Sequence, residues 1–206
     1  MDPVIVTGCA RSGTSLTVGI LVRCGLQVGN ICGATNINPR GQYENREIIN
    51  TIQKPYLRMI GADEKGQYPL PTYDELSPDP YRRDTLLDIA QEQGIDTNKP
   101  WGFKDAKALL DWPIWRAAFP DTYWIITQRE KDEIVQSCER IKLMRERNDW
   151  GNWVDYHVNR AEDLYRETEK VRFALTDEIA QGEVSSIQEI VEELGLEWDE
   201  QAVRDF

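Results

Sequence analysis

Histidine occurs once in this 206-residue chain, at position 157. It lies among Trp150, Trp153 and Tyr156 in a stretch that reads as packing or surface, so no catalytic role is assigned to it. The four cysteines (Cys9, Cys24, Cys32, Cys138) have neither zinc nor redox spacing. They are expected to be reduced, packed thiols of a cytoplasmic protein. No metal-ligand cluster is visible. No apolar run approaches the roughly 20 residues of a membrane span. Met1-Asp2-Pro3 leads directly into an apolar strand, with no basic leader and no small-residue cleavage site, so no signal peptide is expected. Positive charge is also scarce: 24 Lys and Arg stand against 36 Asp and Glu, a net charge of -12. That argues against a nucleic-acid-binding face and against a heavily anionic glycan acceptor. A small anionic ligand remains compatible, because a few local cations can build a positive pocket on an acidic body.

Forty per cent of the residues are hydrophobic and seven are Trp, a globular composition. The length suits a single α/β domain spanning 1–206. Buried β-branched runs are expected as strands at 3–7, 101–104, 122–127 and 171–175, with a short one at 26–28. Helical spacing marks 13–24, 45–60, 82–93, 112–118, 130–147, 150–170 and 185–194. Strands alternating with helices predict three layers, a mostly parallel central sheet with helices on both faces. The segment 61–81 holds four of the ten prolines and several acids. It opens an excursion (61–100) of loop and helix expected on the acceptor side of a binding site.

Gly8-Cys9-Ala10-Arg11-Ser12-Gly13-Thr14-Ser15 falls between the first strand and the first helix. Two glycines five positions apart let the backbone curl so that its N–H groups face an anion. The helix start behind them adds partial positive charge. Thr14 and Ser15 offer hydroxyl donors. The plain alternative is a glycine-rich turn that merely joins strand to helix. The spacing approaches a Walker A loop, but Thr14 stands where a nucleotide triphosphatase has Lys. The cation lies inside the loop instead, at Arg11. This arrangement resembles the 5'-phosphosulfate loop of sulfotransferases that use 3'-phosphoadenosine 5'-phosphosulfate (PAPS), in the Arg-Ser-Gly-Thr form of tyrosylprotein and many bacterial members.

Three further segments carry the resemblance. Family members place an Arg at the end of a later strand and a Ser eight residues on, which together hold the 3'-phosphate. Arg129 and Ser137 have that spacing. A guanidinium fork and a hydroxyl two helical turns on can face one phosphate; alone, the pair equally suits a solvated Arg. Asn38-Pro39-Arg40-Gly41-Gln42-Tyr43-Glu44-Asn45 is similar to a bacterial stretch whose Glu is the presumed base, although Gln42 replaces an aromatic. Glu44 could instead simply complement a helix dipole. Trp101-Gly102-Phe103-Lys104-Asp105-Ala106 resembles the Lys-Asp-Pro-Arg or Lys-Thr-His strand end of the family. It implies that Lys104 stabilises sulfonate oxygens. Ala106 stands where the cytosolic enzymes have a catalytic His, so the base role falls to Glu44 with Asp105 in reserve; a buried Lys104–Asp105 pair is the structural alternative. The Arg-Lys-Gly-x-x-Gly-x-Trp-Lys clamp is missing, and Leu16 stands where an adenine-stacking Trp is found. Arg140, Lys142 or Arg145 could assist the second phosphate or form a solvated basic face.

The resemblance spans roughly 4–195. It implies a fold like that of P-loop nucleotide triphosphatases and transfer of a sulfonate from PAPS to a hydroxyl or amine. Arg11, Glu44 and Lys104 would act in catalysis. Gly8, Arg11, Ser12, Gly13, Thr14, Ser15, Arg129 and Ser137 would bind the nucleotide. No metal, nucleic acid or membrane is implied; a small molecule, glycan or peptide would be the acceptor. An ATP-dependent small-molecule kinase and a non-catalytic nucleotide-binding relative are the competing readings. The whole reading requires that Arg11 and Arg129 share one cleft.

Overall fold

A computed structural model describes residues 1–34, 41–141 and 149–206. Asn38, Pro39 and Arg40 of the Glu44 segment, and Lys142 and Arg145, lie outside these residues. Strands β1 (Val4–Gly8), β2 (Gly102–Lys104), β3 (Tyr123–Gln128) and β4 (Val171–Leu175) form one parallel sheet in the order β2-β1-β3-β4. The helices are α1 (Thr14–Arg23), α2 (Arg46–Ile48), α3 (Lys54–Met59), α4 (Arg82–Glu92), α5 (Trp112–Ala118), α6 (Lys131–Ile141), α7 (Trp150–Glu167), α8 (Thr176–Ala180), α9 (Ser185–Glu193) and α10 (Glu200–Arg204).

Alternation along β1 divides the interior into two cores. Ile5 packs with Phe103, Trp112, Trp115, Trp124 and Leu164 on one face of the sheet. Val4 and Val6 pack with Val18, Leu21, Ile187 and Val191 on the other. The strands are buried on both faces, so their runs are continuously apolar. Chain order reverses around β1: β2 adds on one side, and β3 crosses back to the other. In open parallel sheets, the crevice beyond the strand carboxyl ends at such a reversal is where ligands bind.

The expected strand at 26–28 is reduced to one parallel bridge between Gln27 and Trp101. The helix expected over 45–60 is interrupted by a π turn at Ile49–Gln53 that joins α2 to α3. On that turn Gln53 is fully buried. Its amide donates to Asp111 Oδ1 at 3.0 Å and accepts from Trp115 Nε1 at 3.0 Å. Asp111 also pairs with buried Arg82 at 2.7 Å, and the Arg82 guanidinium lies over the rings of Tyr56 and Trp115. Breaking such a buried pair leaves an uncompensated charge, so this group fixes α3, α4 and α5 to one another. The described part of α6 ends at Ile141, and α7 ends at Glu167 rather than at 170. A 3-10 turn at Ala106–Leu109 and helices α8 and α10 were not expected. Among the described residues no helix is long and apolar enough to cross a membrane.

The proline-rich segment 61–81 is tied down on the α7 side. Trp153 Nε1 donates to the Gly66 carbonyl at 3.1 Å. Arg160 donates to the Pro71 carbonyl and lies 3.5 Å from the centre of the Tyr73 ring.

Candidate active site

The first strand delivers the glycine loop to the sheet's carboxyl edge. Its path requires left-handed backbone at Gly8 (φ 141°), Arg11 (φ 74°) and Gly13 (φ 92°). Three hydroxyls fix the curl from behind. Ser12 Oγ donates to the Cys9 carbonyl at 2.6 Å and lies 2.5 Å from Thr127 Oγ1. The Ser12 N–H also returns to the Cys9 carbonyl. Thr176 Oγ1 reaches the carbonyls of Ser12 (2.8 Å) and Gln128 (2.9 Å). The Ser12 side chain therefore braces the loop from the protein interior.

Two glycines of this loop sit against neighbours. A Cβ on Gly8 would lie 2.4 Å from Thr127 Oγ1 and 2.9 Å from the Thr127 carbonyl oxygen. One on Gly13 would lie 2.7 Å from the Thr176 side chain. Because a backbone carbonyl on β3 cannot step aside, Gly8→Ala is expected to cost roughly 2–4 kcal/mol through overpacking and backbone strain. Urea denaturation would measure it, and a loss under ~0.5 kcal/mol would show that the loop adapts.

Among the described residues no side chain caps the start of α1. The first-turn N–H groups of a helix have no partner within it, and Gly13, Thr14, Ser15 and Leu16 face a cavity of about 570 Å³. Arg11, Gln42, Glu44, Lys104, Arg129, Thr176, Asp177 and Phe206 also line it. The uncapped amides and nearby guanidinium form a polar concavity suited to an anion.

Arg11 Nε donates to Ser137 Oγ at 3.0 Å, and Arg129 Nη1 donates to the Arg11 carbonyl at 3.3 Å. The two arginines and the serine, distant in sequence, thus meet on one side of the loop. Burial lowers the Arg11 pKa, and repulsion from Arg129 and Arg140 adds to this. A guanidinium nonetheless stays charged in a protein.

On the other side, β2 ends in Lys104, which is buried. Its ammonium donates to Glu44 Oε1 (2.9 Å), the Gln42 carbonyl (3.1 Å) and Ser15 Oγ (3.4 Å). A short backbone pairing of Cys32 with Tyr43 and Glu44 holds the carboxylate here. Asn45 rather than Glu44 caps α2, accepting from the Glu47 and Ile48 N–H groups. Glu44 therefore faces Lys104 instead of serving as a helix cap. Burial raises the Glu44 pKa, but Lys104, helped by Lys107 and Lys54, holds it below the usual carboxylate value.

The alternative of a buried Lys104–Asp105 pair is overturned. Neighbours at a strand end point to opposite sides. Asp105 is fully buried, and its Oδ1 accepts from Lys107 Nζ at 2.7 Å and from the Lys107 N–H at 2.9 Å. His157 is also buried, with Nδ1 2.8 Å from the Trp153 carbonyl; burial pushes its pKa down to about 4, leaving the ring neutral.

Among the described residues that line the cavity, none comes from 61–100. Thr176, Asp177 and Phe206 were not singled out from sequence, and Gln42 was noted only as a departure from the family pattern. The first two lie on one-turn α8, and Phe206 reaches the cavity by packing against Gly19 of α1, with Arg23 over its ring at 3.9 Å.

A four-stranded parallel sheet flanked by helices, with a strand–loop–helix turn at its carboxyl edge, defines an α/β fold. The sequence matches no protein-family model and no curated protein sequence. The fold does match solved structures. A sulfotransferase (STF1) of Mycobacterium tuberculosis H37Rv superposes with a TM-score of 0.61 at 14% identity, over 98% of this chain and 70% of that one. A sulfotransferase of Alicyclobacillus acidocaldarius superposes with a TM-score of 0.63 at 14% identity, over 97% and 83%. The chain has the fold of these sulfotransferases.

Proposed function

We propose that this chain transfers a sulfonate group from PAPS to a hydroxyl or amine acceptor. The observation that carries the reading is the convergence, in one cleft, of an uncapped helix start, Arg11 and Arg129 on one side and the Lys104–Glu44 pair on the other. The donor set fits an adenosine carrying anionic groups at two positions. Main-chain N–H groups of Gly13, Thr14 and Ser15, with Arg11, would hold the 5' side. Arg129 and Ser137 would hold the 3'-phosphate. Leu16, Ala180 and Phe206 supply apolar cavity wall that would receive the base. A cavity of about 570 Å³ is within the range of cofactor sites.

PAPS supplies an activated sulfonate whose departure leaves negative charge on the nucleotide. Arg11 and the loop amides would stabilise that charge. Lys104 would stabilise the sulfonate oxygens in flight. Glu44, ionised at neutral pH, would accept the acceptor's proton. The acceptor would enter where Glu44, Gln42 and Ser15 border the cavity, and would be a small molecule, glycan or peptide.

Thermal unfolding with added nucleotides tests the reading. The product nucleotide, 3'-phosphoadenosine 5'-phosphate, is expected to raise the melting temperature, and ATP with magnesium to do so less. Transfer of radiolabelled sulfonate onto a panel of phenols, alcohols and amines would then name the acceptor class. Stabilisation by ATP–magnesium alone would favour a kinase and overturn the proposal.

A further inference from the structure

The second anion site is already occupied by the protein's own carboxylates. Arg129 donates from Nε to Asp177 Oδ1 at 2.9 Å and from Nη2 to Glu133 Oε2 at 3.2 Å. Asp177 Oδ2 accepts the Glu130 N–H at 3.0 Å, which locks the carboxylate across the end of β3. Asp177 lies in the first turn of α8, immediately after Thr176, whose hydroxyl is bonded to the phosphate-loop backbone. Its position is thus tied to the loop itself. Asp177 and Arg129 both line the cavity.

Two carboxylates thus engage the Arg129 guanidinium before any ligand arrives, with Arg11 and Arg140 as the neighbouring cations. A phosphate approaching Arg129 meets both a partner already engaged and a like charge held within bonding distance of it. We infer that Asp177 is a specificity-determining residue that competes with the ribose 3'-phosphate for Arg129 and weakens this chain's selection for 3'-phosphorylated adenosine nucleotides. The inference rests on the proposed nucleotide site and assigns a role to a residue that would not itself bind the ligand. Asp177 and Glu133 are partly exposed, so solvent screening moderates the competition.

Calorimetric titration of 3'-phosphoadenosine 5'-phosphate and adenosine 5'-phosphate into the wild type, Asp177→Asn and Glu133→Gln at fixed low salt tests this. The Asn side chain can still accept the Glu130 N–H, which favours folding. Asp177→Asn is expected to bind the bisphosphate about tenfold or more tightly, while its affinity for the monophosphate changes less than about threefold. Glu133→Gln, on the exposed side of α6, is expected to give a smaller gain with the same selectivity; should Asp177→Asn fail to fold, this variant decides alone. Unchanged or weaker bisphosphate binding, or an equal gain for both nucleotides, overturns the inference while leaving the nucleotide site intact. Failure of all three proteins to bind either nucleotide overturns the site and the inference together.

Discussion

Arg11→Ala is expected to lower sulfonate transfer by about 10²- to 10³-fold, the usual effect of removing one donor aimed at developing charge. The loop presents this side chain from a left-handed backbone position, between Ser137 and the carbonyl-bonded Arg129. Its Nε is held by the serine hydroxyl, which orients the planar fork. Arg11→Lys keeps the charge but loses the fork, so it should fall between wild type and Ala. Single-turnover rates at saturating donor would separate this loss from weakened binding. Ala has the same left-handed backbone strain as Arg, and a circular dichroism melt would confirm that folding is retained. A loss under about threefold at saturation would remove Arg11 from the catalytic machinery.

Replacing Glu44 by Gln should cost transfer about 10²- to 10⁴-fold, the range for a general base. Donor binding should change little, because Glu44 touches Lys104 and not the phosphate loop amides. The pH dependence follows from the direction of its shift. Lys104 holds the folded carboxyl below its ordinary value despite burial. The carboxyl is therefore ionised at neutral pH, and with Glu44 as the base transfer is expected to fall only as pH drops through that depressed pKa. The ion pair's contribution to stability has the same sign: it is present above the unfolded carboxyl value and lost as pH falls through the folded one. In Lys104→Met the largest lowering influence is gone while burial remains, so the acid limb of the pH–rate profile should move upward. An unmoved limb would show that another group accepts the proton, and an active Glu44→Gln enzyme would do the same.

The parts of the site that could be read from sequence are those set by local backbone chemistry. Gly8 and Gly13 bracket a loop between an apolar strand and a periodic helix, and both adopt the positive φ that such a loop needs. Arg129 and Ser137 were named only through a family resemblance in order and spacing; the fold brings both into contact with Arg11, which no local pattern encodes. Lys104 and Glu44 were named separately; their 2.9 Å contact arises from tertiary packing that no local pattern encodes. The possible Lys104–Asp105 pair ignored the alternation of side chains at a strand end, which sends Asp105 to Lys107 instead. Thr176 and Asp177 stayed hidden because α8 is five residues long, too short to show helical periodicity. Phe206 was invisible for a different reason: it reaches the cavity only because Gly19 leaves room on α1 for its ring. The π turn at Ile49–Gln53 also leaves no apolar signature, since the helix pattern continues on both sides of it.

A crystal structure with 3'-phosphoadenosine 5'-phosphate bound would test the central claim most directly. The 5'-phosphate is expected on the N–H groups of Gly13 to Ser15 beside Arg11, with the 3'-phosphate against Arg129 and Ser137 and the space beside the 5'-phosphate opening toward Glu44. Nucleotide bound elsewhere on the surface, with Arg11 still bonded only within the protein, would contradict it.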